Sequence, residues 1–241
     1  MPPKFSVVVP VYNEAEFLPL ALPALIEAME SVEESYEILI VENGSDDGSA
    51  AIAESIAASA PVSVLSLQIA DYGSAMHHGF SEATGDWVVN FDIDYFSAEF
   101  LRKVLGSDSF DIVIGSKRDP DSEDLRPPVR RLATRVFNLL LRTILGSRVS
   151  DTHGMKAFRR ELVEDLNPRV VSRQDLYDTE LVIRAERAGY RIAEVPVVVE
   201  ELRTAKSSLV KRVPRTVAGL FRIRKLLTEP VPSSAGQQPP S

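Results

Sequence analysis

The chain has 241 residues, of which 44% are apolar, enough to bury a sizeable core in one large α/β unit. It has no cysteine, so a disulfide framework, a thiolate nucleophile and a cysteine-ligated zinc site are all excluded, a usage that fits a cytoplasmic setting. The net charge is −8 but unevenly spread: Arg126 to Ser150 and Arg203 to Thr228 together hold fourteen of the 27 basic residues and none of the 35 acids.

The first residues run straight into a strand, Lys4 to Val11, without a charged and then apolar leader pattern, so no secretory signal is expected. A helix is predicted over Asn13 to Met29, a strand over Tyr36 to Val41, and a turn-rich loop over Glu42 to Gly48. Ser49 to Ser59 follows as a helix, Val62 to Ile69 as a strand, Ser74 to Ala83 as a helix and Trp87 to Phe91 as a strand. Further on, Leu176 to Ala188 is helical. This β-α-β-α-β-α-β order implies an α/β fold, a Rossmann-like three-layer sandwich with a mostly parallel central sheet. Ligands of open α/β sheets collect beyond the carboxyl ends of the strands, where Pro10 to Glu14, Glu42 to Asp47 and Asp92 to Asp94 converge.

The most telling segment is Val88 to Asp94. An apolar strand ends in Asp92 and Asp94, two positions apart, so both carboxylates leave an extended chain on the same side. Mg2+ or Mn2+ takes carboxylate oxygens together with those of a bound diphosphate, and this tip suits that set. No GxGxxG follows the first strand and no GxxxxGK[ST] occurs, which argues against a dinucleotide or P-loop enzyme. Gly44, Gly48, Gly73, Gly79 and Gly85 instead suit tight turns and helix ends. His77 and His78 lack metal-ligand spacing and are taken as structural.

Both basic segments carry apolar stripes: Leu132, Val136, Leu139 and Leu140 in the first, and Leu209, Val213, Val217, Leu220 and Leu227 in the second. Such helices either present solvated basic faces or lie on an anionic membrane surface. Nucleic acid is the weaker partner, because the segments lack interleaved aromatics and the rest of the chain is acidic. No apolar run reaches the roughly 18 residues of a bilayer span. Lipid engagement would then be peripheral, at the cytoplasmic face, through these segments or a separate membrane-protein partner. Residues 229–241 are rich in Pro, Ser and Gln and are expected to be a disordered tail, after a catalytic unit over 1–202 and basic helices over 203–228.

Taken in order, Val9-Pro10-Val11-Tyr12-Asn13-Glu14, Val41-Glu42-Asn43-Gly44-Ser45-Asp46-Asp47-Gly48-Ser49, Ala83-Thr84-Gly85-Asp86 and Asp92-Ile93-Asp94 resemble the motifs of family 2 glycosyltransferases of the GT-A fold. Gly115-Ser116-Lys117-Arg118, Arg130-Arg131, Ser150 to Arg160 and Arg187 to Val197 resemble the dolichol- or polyprenol-phosphate mannosyltransferase branch. The resemblance implies an inverting, metal-dependent transfer of mannose or glucose from a GDP- or UDP-linked donor to polyprenyl phosphate. It implies that Pro10, Tyr12 and Glu14 wall the base and ribose and that Glu42 and Asn43 bond the base, with Glu-Asn replacing the usual Asp-Asp. Asp94 would ligate the metal, and Asp92 would help hold metal or ribose. Phe96 stands where the branch often has a further polar ligand.

Arg118 would add positive charge at the leaving group. Arg131, Asp151 and His153 would face the acceptor, and Asp178, at the start of its helix with Glu180, would be the acceptor-side carboxylate. Helix capping explains Asp178 and Glu180 as well. Two further readings stay open: a family 2 enzyme with a soluble or glycan acceptor, and a catalytically silent nucleotide-sugar-binding homologue. A sugar nucleotidyltransferase would need a glycine-rich basic loop after the first strand, which is absent.

Overall fold

A computed structural model describes residues 1–58, 60–150, 152–199 and 209–228. At its centre lie β1 (Phe5–Val11), β2 (Tyr36–Asn43), β3 (Val62–Leu67), β4 (Trp87–Asn90), β5 (Ile112–Ser116), β7 (Lys156–Arg159) and β8 (Ile192–Pro196), in the spatial order β3-β2-β1-β4-β7-β5-β8. All neighbours pair in parallel except β7, which runs antiparallel to both β4 and β5. A two-residue strand, β6 (Glu123–Asp124), pairs with β9 (Val198–Val199) beside this sheet.

Strand alternation divides the core. Val7, Val9 and Val11 of β1 face α1 (Leu18–Glu30), α2 (Ser49–Ala57) and α4 (Ala98–Leu105), whereas Val8 faces α3 (Tyr72–Glu82), α6 (Arg160–Leu166) and α7 (Tyr177–Ala188). The expected three-layer sandwich with a mostly parallel sheet is present. From β1 the chain steps outward to β2 and β3, then returns to pair β4 on the other side of β1. The crevice lies at that reversal, beyond the carboxyl ends of β1 and β4.

One helix starts later than its sequence pattern indicates. The apolar periodicity began at Asn13, but α1 begins at Leu18, because the backbone N–H groups of Asn13, Glu14 and Ala15 donate to Ser45 Oγ, Ser49 Oγ and Asp47 Oδ2 at 3.0, 2.8 and 3.0 Å. The first and second loops are thereby tied together. Gly79 likewise stands mid-helix rather than at a turn: a Cβ there would lie 2.4 Å from Val8 Cγ1 and 2.8 Å from Val41 Cγ2, so glycine lets α3 settle onto β1 and β2.

The two basic segments share a third, smaller core. The first forms α5 (Pro128–Leu140) and continues into one π-helical turn, Leu141–Leu145; the second forms α8 (Leu209–Thr228). Leu141 and Leu145 pack with Leu176, Ile183, Leu220 and Ile223. Part of the second apolar stripe therefore braces the protein itself, as the reading of solvated basic faces has it. In α5 the stripe is open: Val129, Leu132, Val136 and Leu139 are 67, 58, 47 and 60% exposed, and only Leu140 turns inward. No helix among the described residues is long and apolar enough to cross a membrane. The tail over 229–241 lies outside the described residues.

Candidate active site

β4 delivers the two carboxylates. Phe91 and Ile93 point into the core, so Asp92 and Asp94 alternate to the crevice side, and an isolated bridge between Asp92 and Tyr95 closes the turn. Asp92 opens onto the crevice but is crowded by protein on its other sides. That burial, and then the neighbouring Asp94 charge, raise its pKa to about 6, while Lys156 and Lys117 pull the other way. Two mutually repelling carboxylates at one tip are a donor set that a hard divalent cation would relieve. Among the described residues no group of three or more His, Cys, Asp or Glu is assembled for a metal, so the remaining ligands would come from diphosphate and water.

The opposite wall is built from the first two loops. Pro10 is the penultimate residue of β1, Tyr12 just after the strand is 47% exposed, and Glu14 follows in the turn held by Ser49. Glu42 and Asn43 are both buried and bond backbone: Glu42 Oε1 accepts from the Ser45 N–H, and Asn43 Oδ1 accepts from the Asp71 N–H at 2.8 Å. Asp71 in turn caps α3, its Oδ1 accepting from the Ser74 N–H at 2.7 Å. Asp47, which anchors the Ala15 N–H, sits below the usual carboxylate range: burial opposes this, but hydrogen bonds from Ser49 and Ala15 outweigh it.

On the acceptor side, Arg118 is exposed just beyond β5, its N–H donating to Ser116 Oγ, and Arg131 is exposed on α5. The His153 ring meets Phe137 of α5 edge-on, with centroids 4.5 Å apart. Asp151 lies outside the described residues. Lys117 Nζ donates to the His153 carbonyl at 2.8 Å, and Lys156 Nζ donates to the next carbonyl, that of Gly154.

Asp178 sits under the crevice rather than on its surface. Its Oδ2 receives Tyr72 Oη at 3.0 Å and Asn90 Nδ2 at 3.0 Å, and pairs with Lys156 Nζ at 3.1 Å. Burial, followed by the Asp178 and Asp92 charges, holds the Tyr72 hydroxyl well above the usual phenol range, so it stays a donor. Glu180, fully buried, receives the Val171 and Ser172 N–H groups and pairs with Arg184 at 2.6 Å. Lys156, Lys117, Asn90 and Tyr72 were not singled out from the sequence. The available signal was polarity at strand positions that alternation marks as interior, as at Asn90 and Lys156.

The sequence profile of the family described as Glycosyl transferase family 2 matches residues 6–166. The glycosyltransferase AglD of Haloferax volcanii is 34% identical over 86% of this chain, and an undecaprenyl-phosphate 4-deoxy-4-formamido-L-arabinose transferase of Sodalis glossinidius is 34% identical over 87%. The chain spans 35% of the first protein and 64% of the second. Among solved structures, glucosyl-3-phosphoglycerate synthase of Mycobacterium tuberculosis, in complex with Mn2+, UDP and glucosyl-3-phosphoglycerate, superposes with a TM-score of 0.67 at 19% identity over 95% of this chain and 82% of that one. Mannosyl-3-phosphoglycerate synthase of Rubrobacter xylanophilus gives 0.66 at 23% identity, over 96% and 78%. The sheet is thus of the GT-A type, and with the profile match running from β1 through β7 to the end of α6, the chain belongs to glycosyl transferase family 2.

Proposed function

We propose that the chain transfers a hexose, mannose or glucose, with inversion from a UDP- or GDP-linked donor to a polyprenyl phosphate at a membrane surface, using Mn2+ or Mg2+. The observation that carries this reading is the pair Asp92 and Asp94 at the β4 tip, opening on a crevice whose other wall is the tied loops at 10–14 and 42–49. The Mn2+ and UDP in the mycobacterial structure support the donor half, and the undecaprenyl-phosphate transferase named among the relatives supports the acceptor half.

Departure of the diphosphate builds negative charge on the leaving oxygen, and a divalent cation bound at Asp92 and Asp94 would supply Lewis-acid stabilisation of it. Tyr12 and Glu14 would bound the nucleoside, with Glu42 and Asn43 holding the loops that shape its pocket. Arg118 brings fixed positive charge to the crevice rim, and Arg131 on α5 offers a planar fork to the acceptor phosphate. A phosphate oxygen is already ionised near neutrality, so such an acceptor needs docking cations rather than a general base. The open apolar stripe of α5, flanked by exposed Arg131, Arg135 and Arg142, supports docking on anionic lipid.

The test is a transfer assay with labelled UDP-glucose and GDP-mannose, Mn2+, and polyprenyl phosphate in phosphatidylglycerol vesicles, beside a soluble phosphoglycerate arm. The expected result is labelled lipid that disappears in EDTA and in Asp94→Ala. Label in phosphoglycerate alone would replace the lipid acceptor with a soluble one.

A further inference from the structure

The ion pair of Lys156 and Asp178 is buried more deeply than a surface contact requires: the two side chains are 0 and 9% exposed. Burying an ammonium and a carboxylate is costly, and a well-packed apolar pair is often as stable, so the pair calls for a role beyond stability. Its position suggests one. Lys156 opens β7, the one antiparallel strand of the main sheet, directly across from Asn90, the last residue of β4. Two residues after Asn90 comes Asp92. Antiparallel entry brings β7 in at the carboxyl end of β4, so the lysine enters the sheet at the same end as the metal-binding tip.

A single oxygen, Asp178 Oδ2, gathers donors from three elements: Tyr72 of α3, Asn90 of β4 and Lys156 of β7. Asn90 Nδ2 also reaches Tyr72 Oη at 3.3 Å. Asp178 itself belongs to the first turn of α7, and the same lysine holds the Gly154 carbonyl in the loop that carries His153. The Asp92 carboxyl feels the Lys156 charge. Donor-side and acceptor-side elements are joined at one buried point.

We propose that Lys156 is a positioning residue for the transfer reaction, its ammonium locking Asp178 and the Gly154 carbonyl so that the β4 tip and the acceptor-side helix keep one spacing. This rests on the reading of Asp92 and Asp94 as the metal and nucleotide site. Asp178 then acts through Asn90 and Lys156, not on the substrate.

The experiment measures Mn2+-dependent affinity for UDP and for GDP by calorimetry at 15 °C, where each variant is folded by circular dichroism. The variants are Lys156→Met, Asp178→Asn, the double Lys156→Met/Asp178→Asn, and Tyr72→Phe. Loss of an outer partner of a metal ligand weakens binding by about tenfold or more, which is expected for each charge-removing single variant. The double variant, which leaves no unpaired buried charge but no lock either, is expected to stay within about threefold of the single variants, as residues acting through one contact are not additive. Tyr72→Phe, which keeps the ion pair, is expected to fall between wild type and the single charge variants and serves if the double variant does not fold. Lys156→Met with wild-type affinity and only a lower melting temperature would overturn the proposal, as would a folded double variant restored to wild-type affinity, or Tyr72→Phe as damaging as Lys156→Met. Asp94→Ala, run alongside, tests the underlying metal reading separately: retained Mn2+-dependent binding there sinks that reading whatever the Lys156 series does.

Discussion

Asp92 and Asp94 repel each other across a crowded strand tip, and that arrangement is poor for stability and suited to a cation. In EDTA the Asp92 carboxyl, with its pKa raised to about 6, is charged at pH 8 at a cost the unfolded chain does not bear; below the ordinary carboxylate range it is protonated in both states and the cost vanishes. Asp92→Asn is therefore expected to raise the melting temperature at pH 8 and to leave it nearly unchanged at pH 3, while weakening Mn2+-dependent nucleotide binding. An equal gain at both pH values would remove the electrostatic explanation. The opposite sign holds for Asp47, whose pKa is depressed: its contribution is present above the ordinary carboxylate range and is lost as pH falls through its lower folded value, so Asp47→Asn should cost stability at pH 7 and progressively less as the pH is lowered below the ordinary carboxylate range. The pair at 92 and 94 was legible because two-residue spacing on a strand needs no tertiary information. Lys156 was not, since it meets Asn90 only through a long-range antiparallel pairing and Asp178 only where helix α7 packs beside that pairing.

At the scale of elements, α3 sets the depth of the crevice floor, because its first residue supplies the Tyr72 hydroxyl and Gly79 lets it approach the sheet. Gly79→Ala places a methyl against two β-branched side chains that cannot swing away and is expected to cost about 1–3 kcal/mol, read from denaturant unfolding. A loss below about 0.5 kcal/mol, within the range of ordinary surface substitutions, would mean that α3 shifts freely. Strands and most helices followed from alternation and periodicity, as expected where local pattern and burial agree. The start of α1 did not. Its first five pattern positions lose helical geometry to three side chains about thirty residues further along the chain, information that no local window contains.

For the molecule as a whole, the uneven charge read from the sequence becomes a two-helix platform in which α8 braces α5 from behind through Leu220 and Ile223, leaving the α5 stripe open. Flotation with phosphatidylglycerol vesicles is expected to be lost in Leu132→Glu/Val136→Glu with the melting temperature held, and neutral phosphatidylcholine vesicles should float little of the protein. Unchanged flotation of the double variant would remove the membrane role of α5. The fold class and the paired carboxylates at the β4 tip were thus readable from residues alone; how far each basic helix is spent on the protein's own core was not, because an apolar stripe looks the same whether protein or lipid covers it. The most direct single measurement is the melting temperature in the presence of UDP, GDP, UDP-glucose and GDP-mannose, each with Mn2+, Mg2+ or EDTA, for wild type and Asp94→Ala, since a ligand that binds only the folded state raises it according to its affinity. A metal-dependent rise with one base, absent in Asp94→Ala, is the expected result; no rise with any nucleotide, or a rise that persists in EDTA and in Asp94→Ala, would contradict a metal-assisted nucleotide-sugar site at the β4 tip.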